Sequence, residues 1–214
     1  MVKLLIVDDH HLVRAAVSKM LADEEWIEIA GEAGSGEDAV TMARDLLPDV
    51  VLMDIKMQGI GGLEATRKIV RMLPDCKVIA LSALVEETFA TRALEVGASG
   101  YLSKGADPVE MVNAIRQVHH GQRYLSSEIA QKVALGRMTP GNENPFDNLS
   151  DRELQIALMV VNCQKVCDIS DKLFLSPKTV NTYRYRIFDK LQVSSDVELT
   201  HLAIRHKMID TESL

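Results

Sequence analysis

The stretch Val50-Val51-Leu52-Met53-Asp54-Ile55-Lys56 sets an apolar run in front of one carboxylate. It is entered through Pro48-Asp49 and left through the glycine-rich Gln58-Gly59-Ile60-Gly61-Gly62. An apolar run of this length, punctuated in this way, predicts a strand buried on both faces of a parallel sheet. Asp54 then stands at the carboxyl end of that strand. In open α/β sheets this edge is where ligands bind, so a carboxylate there is a candidate nucleophile or metal ligand.

Working outward, strand-like runs alternate with helix-period stretches at Leu4 to Val7, Ile27 to Ala30, Val50 to Met53, Val78 to Leu81 and Tyr101-Leu102. That alternation predicts a five-stranded doubly wound parallel sheet over residues 1–120. Helix starts are marked by Ser35 with Asp38 three residues on, and by Asp107-Pro108 with Glu110 in the first turn. Helical spacing follows the second start at Val109, Val112, Ile115 and Val118.

With strand order 2-1-3-4-5, Asp8 and Asp9 after the first strand crowd the same edge as Asp54 after the third. Three carboxylates repel one another unless a cation sits among them, and an oxygen donor set of this kind suits Mg2+ completed by a substrate phosphate. Ser82 after the fourth strand brings a hydroxyl to the edge, and Lys104 after the fifth brings an ammonium. Each alone is an ordinary loop residue. Together, at successive strand ends, they predict a phosphoryl-transfer site.

These residues resemble the receiver domain of bacterial response regulators, whose fold is flavodoxin-like. The resemblance implies Asp54 as phosphoacceptor, Asp8 and Asp9 as the magnesium acids, Ser82 and Lys104 as phosphoryl ligands and Tyr101 as the switch aromatic. One departure stands in the loop after the phosphoacceptor. The family has Met-Pro-Gly there, and this chain reads Met57-Gln58-Gly59. Loss of proline removes a local stiffener, without removing any chemistry.

Composition sets the frame for both halves. At 47% apolar and 26% charged, with no apolar run near the ~20 residues that span a bilayer, the 214 residues predict two globular domains and no membrane partner. The start runs straight into Lys3-Leu4-Leu5-Ile6-Val7 without the features of a signal peptide, and three cysteines suit a reducing compartment, so the expectation is cytoplasmic. Cys163 and Cys167 have no second pair behind them and are read as plain thiols. The net charge of −7 argues against unspecific coating of nucleic acid, yet Ser176 to Leu191 concentrates Lys178, Arg184, Arg186 and Lys190 against Asp189.

Residues 121–144 read as a linker carrying a short helix, Ser126 to Leu135, followed by a flexible tether rich in glycine, proline and asparagine. Residues 145–214 read as a small all-α domain. Ser150 and Glu153 form a capping box, a second helix spans Val166 to Leu173, and Ser176-Pro177 opens a third that runs to Leu191. Two helices joined by so short a turn make a helix-turn-helix. Val180, Tyr183, Ile187 and Leu191 form the packed side of the third helix. Lys178, Thr179, Asn181, Thr182, Tyr185, Arg186 and Lys190 face out as candidate DNA contacts.

The stretches Leu149 to Glu153 and Leu175 to Tyr183 resemble the LuxR-type DNA-binding domain, and with the receiver the chain resembles the NarL/FixJ class of response regulators. Within that class the run Ser176 to Phe188, with Asp189-Lys190-Leu191, is similar to the GacA/UvrY/VarA group. The resemblance implies a transcription factor, not an enzyme, phosphorylated by a membrane-bound sensor histidine kinase. It also implies a double-stranded DNA operator, RNA polymerase as a partner and activation of small RNA genes of the CsrA/RsmA pathway. Asn181, Thr182 and Tyr185 match base-reading positions, and Leu199, Leu202 and Ala203 match a last helix that pairs two phosphorylated copies into a homodimer. Two rivals remain: a magnesium-dependent phosphatase on a similar sheet, disfavoured by His10 two residues after Asp8, and a scaffold indifferent to phosphorylation.

Overall fold

In the computed structural model, which describes residues 1–82, 87–138, 144–206 and 208, the chain forms two units, Met1–Met138 and Thr139–Leu214. The first is built on a parallel sheet of order β2-β1-β3-β4-β5-β6, with β1 (Val2–Val7), β2 (Ile27–Ala33), β3 (Val50–Asp54), β4 (Lys77–Ser82), β5 (Gly100–Ser103) and β6 (Tyr124–Leu125). Between strands lie α1 (His11–Leu21), α2 (Gly36–Leu46), α3 (Gly61–Met72), α4 (Glu87–Glu95) and α5 (Pro108–His119).

Side-chain alternation along each strand sends residues to two separate cores. On one face Leu4, Ile6, Leu52 and Ile79 pack with Leu21 of α1 and with Ile115 and Val118 of α5. On the other, Leu5, Val7, Val51 and Met53 pack with Ala39 and Ala43 of α2 and with Ala65 and Ile69 of α3. This two-sided burial is why β3 reads as a continuous apolar run. The expected caps form: Ser35 accepts the Asp38 N–H, and Asp107 accepts that of Glu110.

The sheet has one strand more than the five expected. Tyr124-Leu125 pairs in parallel with Gly100-Tyr101, and the Tyr124 N–H donates to the Ser99 carbonyl at 3.1 Å. Two residues carry no periodicity, so the strand was invisible in a segment read as linker. The following α6 (Ser127–Met138) packs against α4, with Ile129 and Val133 buried. The centre of the expected tether, residues 139–143, lies outside the described residues, as does Ala83 after Ser82.

The second unit opens with a 3-10 turn, Pro145–Asn148, followed by α7 (Asp151–Val161), α8 (Val166–Leu173), α9 (Pro177–Leu191) and α10 (Asp196–Arg205). Both arms of the Ser150–Glu153 capping box are present. Phe146, Leu154, Val161, Ile169, Val180 and Ile187 are buried in its core. The turn between α8 and α9 passes through Phe174 in the left-handed region, φ 52°, and is tied by Ser170 Oγ donating to the Leu175 carbonyl at 2.6 Å.

Candidate functional site

Asp8 follows β1, Asp54 ends β3, Ser82 ends β4 and Lys104 follows β5, so parallel strands of matched register deliver all four to one edge. Asp8 and Asp54 are each 1% exposed, and Ser82 is buried. The Lys104 ammonium lies 2.6 Å from Asp8 Oδ2 and 2.7 Å from Asp54 Oδ2. It is held there by its backbone, whose N–H donates to the Ser82 carbonyl at 2.8 Å. The other Asp54 oxygen accepts the Lys56 N–H at 3.0 Å, which fixes the carboxyl plane.

Burial pushes the Asp54 carboxyl up from an ordinary 3.8 to about 6; Lys104 opposes the shift and the charge of Asp8 adds to it. For Lys104, burial acts downward, but the charges and hydrogen bonds of Asp54 and Asp8 outweigh it and hold the ammonium above its ordinary range. The two directions agree with an edge that has more acid than base: the Lys104 ammonium gains from both carboxylates, while the charge of Asp8 adds to the effect of burial on Asp54.

Asp8, Asp9, His10 and Asp54 present ligand atoms within 4.8 Å of one another. Asp8 Oδ2, Asp9 Oδ1 and Asp54 Oδ2 are buried and accept no well-directed hydrogen bond, although Lys104 and the His10 imidazole, 2.8 Å from Asp9, lie within ion-pair range. Buried oxygens left in this condition fit a hard divalent cation. The His10 side chain is 69% exposed, and its ring nonetheless reaches the cluster from the surface. Arg14 of α1 also serves the edge, donating to the Asp8 carbonyl at 2.6 Å. Neither had a sequence signal beyond proximity to Asp8.

Tyr101 sits in β5 between Ala80 and Leu125, fully buried.

In the second unit α9 presents Lys178, Thr182, Tyr185 and Arg186 to solvent, with Thr179 and Asn181 half-buried. Thr182 Oγ1 donates back to the Lys178 carbonyl at 3.0 Å, and Thr179 Oγ1 shares a 2.8 Å hydrogen bond with Ser176 Oγ. On the packed side Val180, Ile187 and Leu191 are buried as expected, and Tyr183 is half-buried. Two basic residues of this helix serve the unit itself. Arg184 donates to both carboxylate oxygens of Asp196 at 2.7 and 2.6 Å and to Asn181 Oδ1 at 3.1 Å. The Lys190 ammonium, read as a DNA contact, lies 2.6 Å from Glu153 Oε2 and 3.3 Å from the Asn148 carbonyl. It thereby locks the capping box of α7.

An acid cluster at the carboxyl edge of a 2-1-3-4-5-6 sheet, on a chain that also carries a helix-turn-helix unit, defines a two-domain response regulator. Residues 4–116 match the response regulator receiver domain and residues 147–203 match the bacterial regulatory proteins of the luxR family. The chain belongs to the response regulators with a LuxR-type DNA-binding domain, a family of transcriptional regulators and not of enzymes. It is 59% identical over 214 residues to the response regulator GacA of Pseudomonas aeruginosa, covering 100% of both chains. It is 55% identical over 215 residues to the response regulator UvrY of Escherichia coli strain K12, covering 100% of this chain and 99% of that one. Among solved structures it resembles a LuxR-family two-component response regulator from Aurantimonas sp. SI85-9A1, at 34% identity and TM-score 0.62, over 65% of this chain and 99% of that one. RcsB from Salmonella enterica serovar Typhimurium, bound to promoter rprA with the phosphomimetic BeF3-, shares the fold at 23% identity and TM-score 0.68, over 94% and 98% of the two chains.

Proposed function

We propose that Asp54 accepts a phosphoryl group from a sensor histidine kinase and that this modification governs operator binding by α9. The observation that carries the reading is the buried Asp54 carboxylate with the Lys104 ammonium 2.7 Å away. With its carboxyl near 6, Asp54 is mostly ionised at neutral pH and is a competent nucleophile. One of its oxygens attacks phosphorus, the bond from phosphorus to the donor imidazole breaks, and an acyl phosphate forms. Asp8 and Asp9, with Asp54, would hold a magnesium ion whose charge offsets that of the incoming phosphoryl oxygens. The Ser82 hydroxyl and Lys104 ammonium bind those oxygens, and Tyr101 is the aromatic that responds to them.

On DNA, Lys178 and Arg186 meet phosphates, while Thr179, Asn181, Thr182 and Tyr185 read base edges. Lys190 leaves this set because its ammonium is committed to Glu153. We infer further, as the resemblance of Ser176 to Leu191 to the GacA/UvrY/VarA group implies, a cytoplasmic regulator that pairs into a homodimer when phosphorylated, works with RNA polymerase and activates small RNA genes of the CsrA/RsmA pathway.

Acetyl phosphate with magnesium tests the site. The chain should take up one acyl phosphate, Asp54→Asn should take up none while remaining folded, and Asp9→Asn should need more magnesium. Labelling of Asp54→Asn at the wild-type rate would overturn the assignment, continuous turnover would indicate a phosphatase, and no label on the wild type would indicate a scaffold.

A further inference from the structure

The loop that follows Asp54 lacks the proline of its family, and a residue from another element holds it. Glu37, in the first turn of α2, lies 23 residues away in sequence from Ile60, whose N–H donates to Glu37 Oε1 at 3.0 Å. Gly59, with φ +73°, lies flat on the same carboxylate: a Cβ there would fall 2.3 Å from Oε2 and 2.5 Å from Oε1. Glu37 Oε2 is itself buried and accepts no hydrogen bond, and among the described residues no basic side chain forms an ion pair with Glu37. A carboxylate in that condition is costly to bury, and the positive end of α2 offsets the cost only in part.

The near end of the loop is tied to the reacting group. The Lys56 N–H donates to Asp54 Oδ1 at 3.0 Å, the Gly62 N–H donates to the Ile55 carbonyl at 3.1 Å, and a Cβ on Gly62 would lie 1.9 Å from the Asp54 carbonyl oxygen. Among the described residues, the segment between Lys56 and Gly62 is thus tied to Asp54 at one end and to Glu37 at the other. Between them Gln58 is exposed, and its N–H makes no backbone hydrogen bond among the described residues.

We propose that Glu37 is a positioning residue for phosphoryl transfer at Asp54, supplying through space the restraint that proline at position 58 supplies through the backbone. The proposal rests on Asp54 being the phosphoacceptor. Fixing the far end of the loop keeps the Lys56 N–H on Asp54 Oδ1, so that the opposite oxygen stays presented to Lys104 and to the incoming phosphorus. A proline at 58 would restrict the loop without breaking a backbone bond of Gln58, so the two devices are interchangeable.

The test combines substitution, exchange and labelling on the full-length protein. Glu37→Ala should speed amide exchange at Ile60 and slow acetyl-phosphate labelling about fivefold or more, in keeping with loss of a hydrogen bond to a charged acceptor. Glu37→Gln, which keeps an accepting oxygen, should restore most of the rate. So should Gln58→Pro placed in the Glu37→Ala background. Ile27→Val, at the opposite edge of the sheet, controls for a general loss of stability and should label at the wild-type rate. Normal labelling by Glu37→Ala overturns the proposal, as does a labelling defect that Gln58→Pro leaves in place. Faster exchange at Ile60 in Glu37→Ala, with a wild type that takes no label, would instead mean that the loop restraint is real and the phosphoacceptor reading has failed.

Discussion

Asp54 carries a stability cost that its position makes unavoidable. A carboxyl whose folded value is raised binds its proton more readily folded than unfolded, so its contribution to stability falls as pH rises through the window from 3.8 to about 6 and is fully unfavourable above it. A shift of that size corresponds to at most about 3 kcal/mol. Lys104 is raised too, but as a cation it then stabilises the fold at all pH below its ordinary 10.5, so it does not alter the trend across neutrality. Asp54→Asn should therefore raise the free energy of receiver unfolding, measured in urea at pH 8 without magnesium, by ~1–3 kcal/mol, and this gain should vanish near pH 4. An equal gain at both pH values would show that the effect is not electrostatic. Asp54 was legible in the sequence because one carboxylate closes an apolar run. Glu37 was not, because a glutamate in the first turn of a helix has a sufficient local reason to be there, and only the fold brings Ile60 against it.

At the scale of elements, α9 separates its duties along its own surface. Lys178 is exposed at the first turn, and its loss should weaken binding to all DNA and flatten the salt dependence. Thr182→Ala or Tyr185→Ala should instead relax preference at individual base pairs by ~1–3 kcal/mol per lost contact. Equal losses on operator and random DNA for all three would refute that division. Lys190 belongs to a different ledger. Burial pushes the Glu153 carboxyl up, but hydrogen bonds from Lys190 and Ser150 outweigh it and hold Glu153 below its ordinary range. Lys190→Ala should thus destabilise the second unit by about 1–2 kcal/mol, reading half-exposure of the lysine as a discount, and leave the salt slope of DNA binding unchanged. A smaller salt slope with unaltered stability would return Lys190 to the DNA face. Helical period and the cap made α9 legible to its ends, since Ser176-Pro177 and the packed Val180, Ile187 and Leu191 act locally. The fate of each basic residue depended on Glu153 and Asp196, carboxylates supplied by other helices, and helical spacing cannot show that. β6 escaped for a related reason: its two residues become a strand only because β5 offers an open edge.

For the whole molecule, control has to pass from a phosphoryl site in one unit to a DNA-reading helix in another, through a tether that sequence reads as flexible. Phosphorylation can shift the balance only through contacts that differ between states, either hiding α9 in the resting chain or pairing two chains in the active one. Tyr101 is buried in β5, paired with β4, the strand that ends at Ser82. Movement of Ser82 toward the phosphoryl group, at the end of β4 and just ahead of α4, can reach α6 through the packing of α4 on α6. Coupling of this kind is typically about 1–3 kcal/mol, which predicts that phosphorylation tightens operator binding by roughly 5-fold to 150-fold. Ser82→Ala should reduce that gain while still allowing Asp54 to be labelled. If the resting receiver hides α9, a fragment of residues 144–214 binds the operator more tightly than the unphosphorylated full chain at the same salt, measured by equilibrium titration. If the fragment binds more weakly, masking is excluded and dimerisation through the receiver carries the control, in which case the affinity of the phosphorylated chain must rise with protein concentration while that of the fragment stays flat.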